Sequence, residues 1–328
     1  MGIVVFVIVK QLLILSFLTN YLGINVAIAG ALTTSILIFD ILTDPIIGYL
    51  SDRTVSRWGR RAPWMAIGAL LLALGQIGIF GVPNFASQLS TLIWVAVFFA
   101  ISTLGFTMVA IPYGASAGEM TYEPKERSSL MGFRMAFASM GILIGGAIIP
   151  QLAGGTKDGH FFASAVIAPV IIIAIWASLW ATRKAPKETA PSHASLRSMA
   201  LLVYQNKPFM RLGLLYGLMT MAIATITAGL PFAAIYLIFD GEASFLSAMS
   251  KNLGTLSFLF AAFVIGAMCS QIFWVFLSNI FGKSAALIAG LSAYIMLLFI
   301  LFYALPSTNI TTMFILFLLA GVTNGAYQ

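Results

Sequence analysis

About ten times along this chain, some twenty or more nearly unbroken apolar residues follow one another. A helix needs about 20 such residues to cross ~30 Å of hydrocarbon. The runs fall approximately at 3–22, 27–51, 63–83, 90–117, 131–152, 160–182, 208–239, 253–281, 284–305 and 311–328. In hydrocarbon every backbone polar group must find its partner inside the protein, so runs of this length are helices. Charge is too scarce for water to be the main solvent: 8% of the residues are charged, against roughly 25% in a soluble domain. The first run has no small-residue cleavage site behind it and reads as a retained helix, not a signal peptide. The last stops at Gln328 without a polar flank, which reads as a truncated chain.

The formal charge of +7 sits in short clusters between the spans. No zinc-ligand set or aromatic RNA-binding motif accompanies it, so it encodes topology rather than nucleic-acid binding. Arg53, Arg57, Arg60 and Arg61 follow the second span, and Lys125 and Arg127 the fourth. Arg183, Lys184, Lys187, Arg197 and Lys207 follow the sixth. The odd-numbered connections hold only Lys157 and Lys251. The positive-inside rule then places the even connections and the N-terminus in the cytoplasm. Residues 183–207 form one long polar connection, of the kind that divides major facilitator proteins into two six-helix halves with the substrate between them. The expected units are a six-helix bundle over 1–182, a cytoplasmic loop over 183–207, and the first four helices of a second bundle over 208–328.

Ionisable residues well inside a span are costly, by ~2.5–3.5 kcal/mol on insertion scales. The second span nevertheless carries Asp40 and Asp44, one turn apart on one face. Carboxylates so close repel, so one is protonated or a cation sits between them. Pro45 lacks an N–H, which frees a carbonyl as a further hard-cation ligand. At 1.5 Å per residue, Asp40, Asp44 and Thr107 on the fourth span lie ~20–26 Å from the outer surface, in one slab. If those spans are neighbours, the three residues line an oxygen site suited to Na⁺, Li⁺ or a proton. Lys10 stands at the depth of Asp40. It either neutralises that aspartate or supplies the charge a metal ion would bring, which weakens Na⁺ dependence and favours proton coupling or uniport.

The run DPIIGYLSDRTVSRWGRRAPW (44–64) resembles the helix 2–3 signature of the glycoside–pentoside–hexuronide:cation symporter family. It contains the general facilitator pattern, here Gly48, Asp52, Arg53, Arg57, Gly59 and Arg60. IPYGASAGEMTYEPKERSSLMGFRMAFASMG (111–141) resembles the family's helix 4–5 region. The resemblance implies that Asp40, Asp44 and Thr107 hold the cation, Na⁺ in sodium-coupled members, and that Arg134 binds sugar. Lys10 joins Arg134 as a candidate cation of the solute site. The resemblance also implies a cytoplasmic gate built from Asp52, Arg53, Arg57, Arg60 and Arg61. The neighbouring Glu119, Glu123 and Glu126 are read first as a solvated charge run and second as gating contacts. Three positions depart from melibiose-type members: Val4 and Ala110 stand for sugar-binding aspartates, and Gly114 for the stacking tryptophan. The family's helix 11 lysine would lie past Gln328.

Chemistry of other classes lacks its residues. Gly282-Lys283-Ser284 is no P-loop, because the required leading glycine is Leu277. The histidines, His160 and His193, are placed in connections, and there is no GxSxG motif. The lone Cys269, inside an apolar run, reads as an inert core thiol. The expectation is an all-α integral membrane protein of major facilitator fold with two six-helix bundles, the second incomplete. It would be a monomer in the bacterial inner membrane, with no cofactor beyond a coupling Na⁺ or H⁺. Its expected activity is symport of a sugar or glycoside. The alternatives are a carrier of a lysolipid or organic anion and a non-transporting receptor.

Overall fold

An apolar run becomes a helix with defined ends when side chains at its borders satisfy the free backbone groups. In the computed structural model, which describes residues 1–120, 123–185, 201, 203–233, 245–304 and 310–325, several borders are of this kind. Helix α1 (Gly2–Val9) continues through turns wound as π-helix at Lys10–Ile14 and Phe17–Tyr21. Asn25 accepts the Ala27 N–H at 2.9 Å and opens α2 (Val26–Arg53). Pro63 lies in the first turn of α3 (Ala62–Phe80), where its missing N–H costs nothing. Ser87 caps α4 (Gln88–Glu119) by accepting from Leu89 at 3.2 Å.

Helix α5 (Pro124–Leu143) runs on through a π-wound turn, Ile144–Ile148, to Ile149–Ala153. Thr156 caps α6 (Lys157–Ala181). Then come α7 (Lys207–Ala233), α8 (Phe245–Phe281), α9 (Lys283–Ala304) and α10 (Ile310–Asn324). Between α8 and α9 the chain reverses at Gly282, whose φ of +86° is a conformation L side chains rarely adopt.

The first six helices share one core, with Phe6, Phe17, Leu18, Leu72, Ile79, Phe99 and Ile171 at its centre. Helices α3 and α4 are in close contact because glycine lets their backbones meet: a Cβ on Gly75 would lie 2.4 Å from the Ser102 nitrogen. Gly141 and Gly145 bring α5 against α1 in the same way. Helix α8 packs on α10 and also reaches α1 and α5, where Ile8 and Val264 share a small buried cluster. Large apolar side chains such as Leu42, Leu74, Ile173 and Trp180 remain on the outside, as lipid solvation requires. Among the described residues, five helices are long and apolar enough to cross a membrane.

Four sequence expectations change. His160 lies within α6, buried against Phe17, Tyr21 and Phe80, with its Nδ1 2.6 Å from the Thr156 carbonyl oxygen. His193 lies outside the described residues. Cys269 is exposed rather than in the core; on a helix apolar all round, sequence does not reveal which face is outside. Residue 251 falls within α8, not in a connection, and α5 begins at Pro124, well before the apolar run does. Lys187 and Arg197 of the central connection are likewise outside the described residues.

Candidate functional site

Asp40 and Asp44 project from successive turns of α2, and α4 passes beside them. The fully buried Thr107 hydroxyl donates to Asp40 Oδ1 at 3.0 Å. Lys10, at the first π-wound turn of α1, brings its Nζ to 3.7 Å from Asp40 Oδ2 and to 5.7 Å from the Phe99 ring centroid. Asp44 lies within interaction range of Lys10, Asp40 and Thr107. Its Oδ1 is buried and has no hydrogen-bond partner. Three helices thus assemble two carboxylates, a hydroxyl and an ammonium in one place, with one carboxylate oxygen open to a proton or cation. Asp40, Asp44, Thr107 and Lys10 therefore meet as the depth arithmetic requires.

The freed carbonyl is a different matter. Without the Pro45 N–H the unpaired oxygen is that of Ile41. Ile41 and Pro45 both lie on the exposed side of α2, so this oxygen is not directed at Thr107. One turn beyond Thr107 on the same face of α4, the Thr103 hydroxyl is fully buried and has no partner. Thr103 and Phe99 are the residues here that sequence reasoning passed over. The steps of four from Phe99 to Thr103 and from Thr103 to Thr107 were the available signal.

Arg134 stands elsewhere, with its guanidinium 5.2 Å from the Tyr113 ring centroid. Tyr113 is six residues, ~9 Å, along α4 from Thr107. The structure therefore groups Lys10 with the aspartates and not with Arg134. Beside Tyr113, Gly114 faces open space: a Cβ there would meet nothing within 4 Å. Val4 packs towards Gly141 and belongs to the α1–α5–α8 contact.

Where the ends of α2, α3 and α4 meet, Arg61 pairs with Asp52 at 3.1 Å and with Glu119 at 2.9 Å. Arg60 pairs with Glu119 and reaches Asp52 at 3.9 Å. Trp64 Nε1 donates to the Thr54 hydroxyl at 2.7 Å, closing the α2–α3 turn. In that turn Gly59 takes a φ of +91°. Arg53 lies over Tyr49 at 4.2 Å, and Arg57 is exposed over Trp58 at 5.7 Å. Of the expected gate residues, Asp52, Arg60 and Arg61 form the ion-pair cluster. Glu119, first read as solvated, is mostly buried and is its fourth member.

The sequence model of the family described as MFS/sugar transport protein matches residues 1–328. The chain belongs to this family. It is therefore an integral membrane protein of the major facilitator type. The fold agrees: a solved structure of the Escherichia coli xylose transporter, in a partially occluded inward-open conformation, superposes with a TM-score of 0.61. That likeness covers 99% of this chain and 83% of the other, at 15% identity. The chain is similar to the inner membrane symporter YicJ of Escherichia coli, 29% identical over 62% of this chain and 45% of that protein. It is similar to the isoprimeverose transporter of Lactiplantibacillus pentosus, 29% identical over 55% of this chain and 39% of that one. It also resembles the mouse sodium-dependent lysophosphatidylcholine symporter 1, 24% identical over 94% of this chain and 63% of that protein. The chain thus spans less than half the length of the two bacterial relatives.

Proposed function

We propose that this chain carries the coupling half of a secondary active transporter, which moves a sugar or glycoside together with Na⁺ or H⁺ by alternating access. The observation that carries the reading is the Thr107–Asp40 hydrogen bond beside Asp44, whose buried oxygen has no partner. A carboxylate left in that condition inside a membrane is costly until a cation or proton arrives. An ion bound there and a solute bound near Arg134 are coupled if each favours the same occluded state. Tyr113 and Arg134 offer an aromatic face and a fork of donors, which suit sugar hydroxyls. On this reading 1–182 and 208–328 are parts of two bundles that rock about the site, and Asp52, Arg60, Arg61 and Glu119 close the cytoplasmic side. The protein would work as a monomer in a bacterial inner membrane, with the N-terminus in the cytoplasm.

A second reading has its own support. The mouse lysophosphatidylcholine symporter aligns along nearly the whole chain. Val4, Ala110 and Gly114 also remove the carboxylates and the ring that would clasp a galactoside. A lysolipid or an organic anion drawn to Arg134 is the corresponding solute. Proteoliposome uptake across a panel of sugars, with lysophosphatidylcholine as competitor, separates the two. Saturable uptake of a sugar that lysophosphatidylcholine leaves unchanged supports the first reading. Uptake of the lysolipid alone replaces it with the second.

A further inference from the structure

We propose that the Lys10 ammonium permanently fills one of the two cation positions that Asp40 and Asp44 define, so that the site exchanges a single charge, at Asp44, and that charge is a proton. The inference rests on the coupling-site reading above and specifies its ion. Two carboxylates and one ammonium leave a net charge of −1, which one monovalent cation cancels. Asp40 has a partner at each oxygen: Lys10 faces Oδ2 at 3.7 Å and the Thr107 hydroxyl, which also lies within reach of Asp44, donates to Oδ1 at 3.0 Å. Asp44 does not, since its Oδ1 is buried with no hydrogen-bond partner. Any exchange therefore takes place at Asp44.

The kind of ion follows from the ligands. A hard metal ion gathers about six oxygens, and sharing Asp40 between Na⁺ and an ammonium sets two cations against each other. The Ile41 carbonyl that Pro45 frees lies on the exposed side of α2 and does not make up the deficit. A proton needs no such cage: it binds one carboxylate oxygen, and the resulting hydroxyl needs one acceptor. Lys10 is also held in place, by the π-wound turn that starts at it and by the Phe99 ring face. Turns of that winding recur at functional positions in helices. The groups that act on Asp44 are Lys10 from α1, Asp40 from α2 itself and the Thr107 hydroxyl from α4. Other charge is remote: α4 has its only charged residue at Glu119, and α7 has its own at Lys207 and Arg211 near its start.

Equilibrium ²²Na⁺ binding to the purified protein tests this without knowledge of the solute. Choline replaces Na⁺ at constant ionic strength, and folding is checked by size exclusion and melting. The expected result is no saturable Na⁺ binding by the wild type, saturable binding by Lys10→Met, and its loss again in Lys10→Met/Asp44→Asn. Lys10→Arg, which keeps the charge, should behave as wild type. Wild-type Na⁺ binding within about tenfold of the Lys10→Met affinity overturns the proposal, while the coupling site itself stands. A folded Lys10→Met that binds no Na⁺ also overturns it. If Asp44→Asn then leaves proton-driven uptake intact as well, the coupling-site reading falls with it. Should Lys10→Met not fold, Lys10→Gln replaces it, and the wild-type arm alone still has the power to refute.

Discussion

Thr107 contributes one hydroxyl, yet that hydroxyl ties α4 to the charged face of α2. A hydrogen bond to a charged acceptor contributes about 1.5–3 kcal/mol. Losing a donor to a carboxylate favours its protonated form, so with a proton as the ion Thr107→Val should lower the ion concentration for half-maximal uptake about tenfold, while Thr107→Ser stays near wild type. Uptake titrated against ion concentration checks this, and an unchanged half-saturation in Thr107→Val would remove the residue from the site. Asp40, Asp44, Thr107 and Lys10 were legible in the sequence because rise per residue fixes depth, and charge inside an apolar run stands out. Phe99, Thr103 and Tyr113 were not, because an aromatic or hydroxyl residue in such a run looks the same whether it faces lipid, core or site. Glu119 was misread for the opposite reason. It sits among solvated charges in the sequence, and only the closure of α2–α3 onto the end of α4 buries it.

Between helices, contact is set by glycine spacing. A Cβ at Gly75 would intrude on the α4 backbone at Ser102, whereas one at Gly30 on α2 would meet nothing within 4 Å. Gly75→Ala should lower stability by about 1–3 kcal/mol through overpacking. Gly30→Ala should be neutral or stabilising by up to about 1 kcal/mol. Thermal unfolding in detergent compares them, and equal effects would contradict the packing described. Where the ends of α2, α3 and α4 meet, Glu119→Gln removes the charge that holds Arg60 and Arg61. Amide exchange over residues 54–61 should then accelerate relative to wild type; an unchanged rate would mean the cluster does not restrain that turn. Each apolar run holds one of α1–α10 among the described residues, although α5 and α8 begin at Pro124 and Phe245, ahead of their runs. Which face each helix buries was not readable from the runs, as exposed Cys269 and buried His160 illustrate. In lipid the outward face is as apolar as the inward one, so the periodicity that marks a soluble amphipathic helix is weak.

For the molecule as a whole, the contact of α1 and α5 with α8 matters most, since the proposed alternating access requires it to change. Ile8 and Val264 share a buried cluster there. A cross-link between Ile8→Cys and Val264→Cys, in a Cys269→Ser background, should arrest transport and release it on reduction. Full transport by the cross-linked protein would mean that this contact does not move. The most direct test of the coupling site sets two rates side by side in proteoliposomes of wild type and Asp44→Asn. One is solute accumulation driven by an ion gradient, and the other is solute exchange with no gradient. The expected result is that Asp44→Asn loses accumulation and keeps exchange, because solute still binds while no ion drives the cycle. Accumulation by Asp44→Asn at the wild-type level would contradict a coupling role for Asp44 and, with it, the site built from Asp40, Asp44 and Thr107.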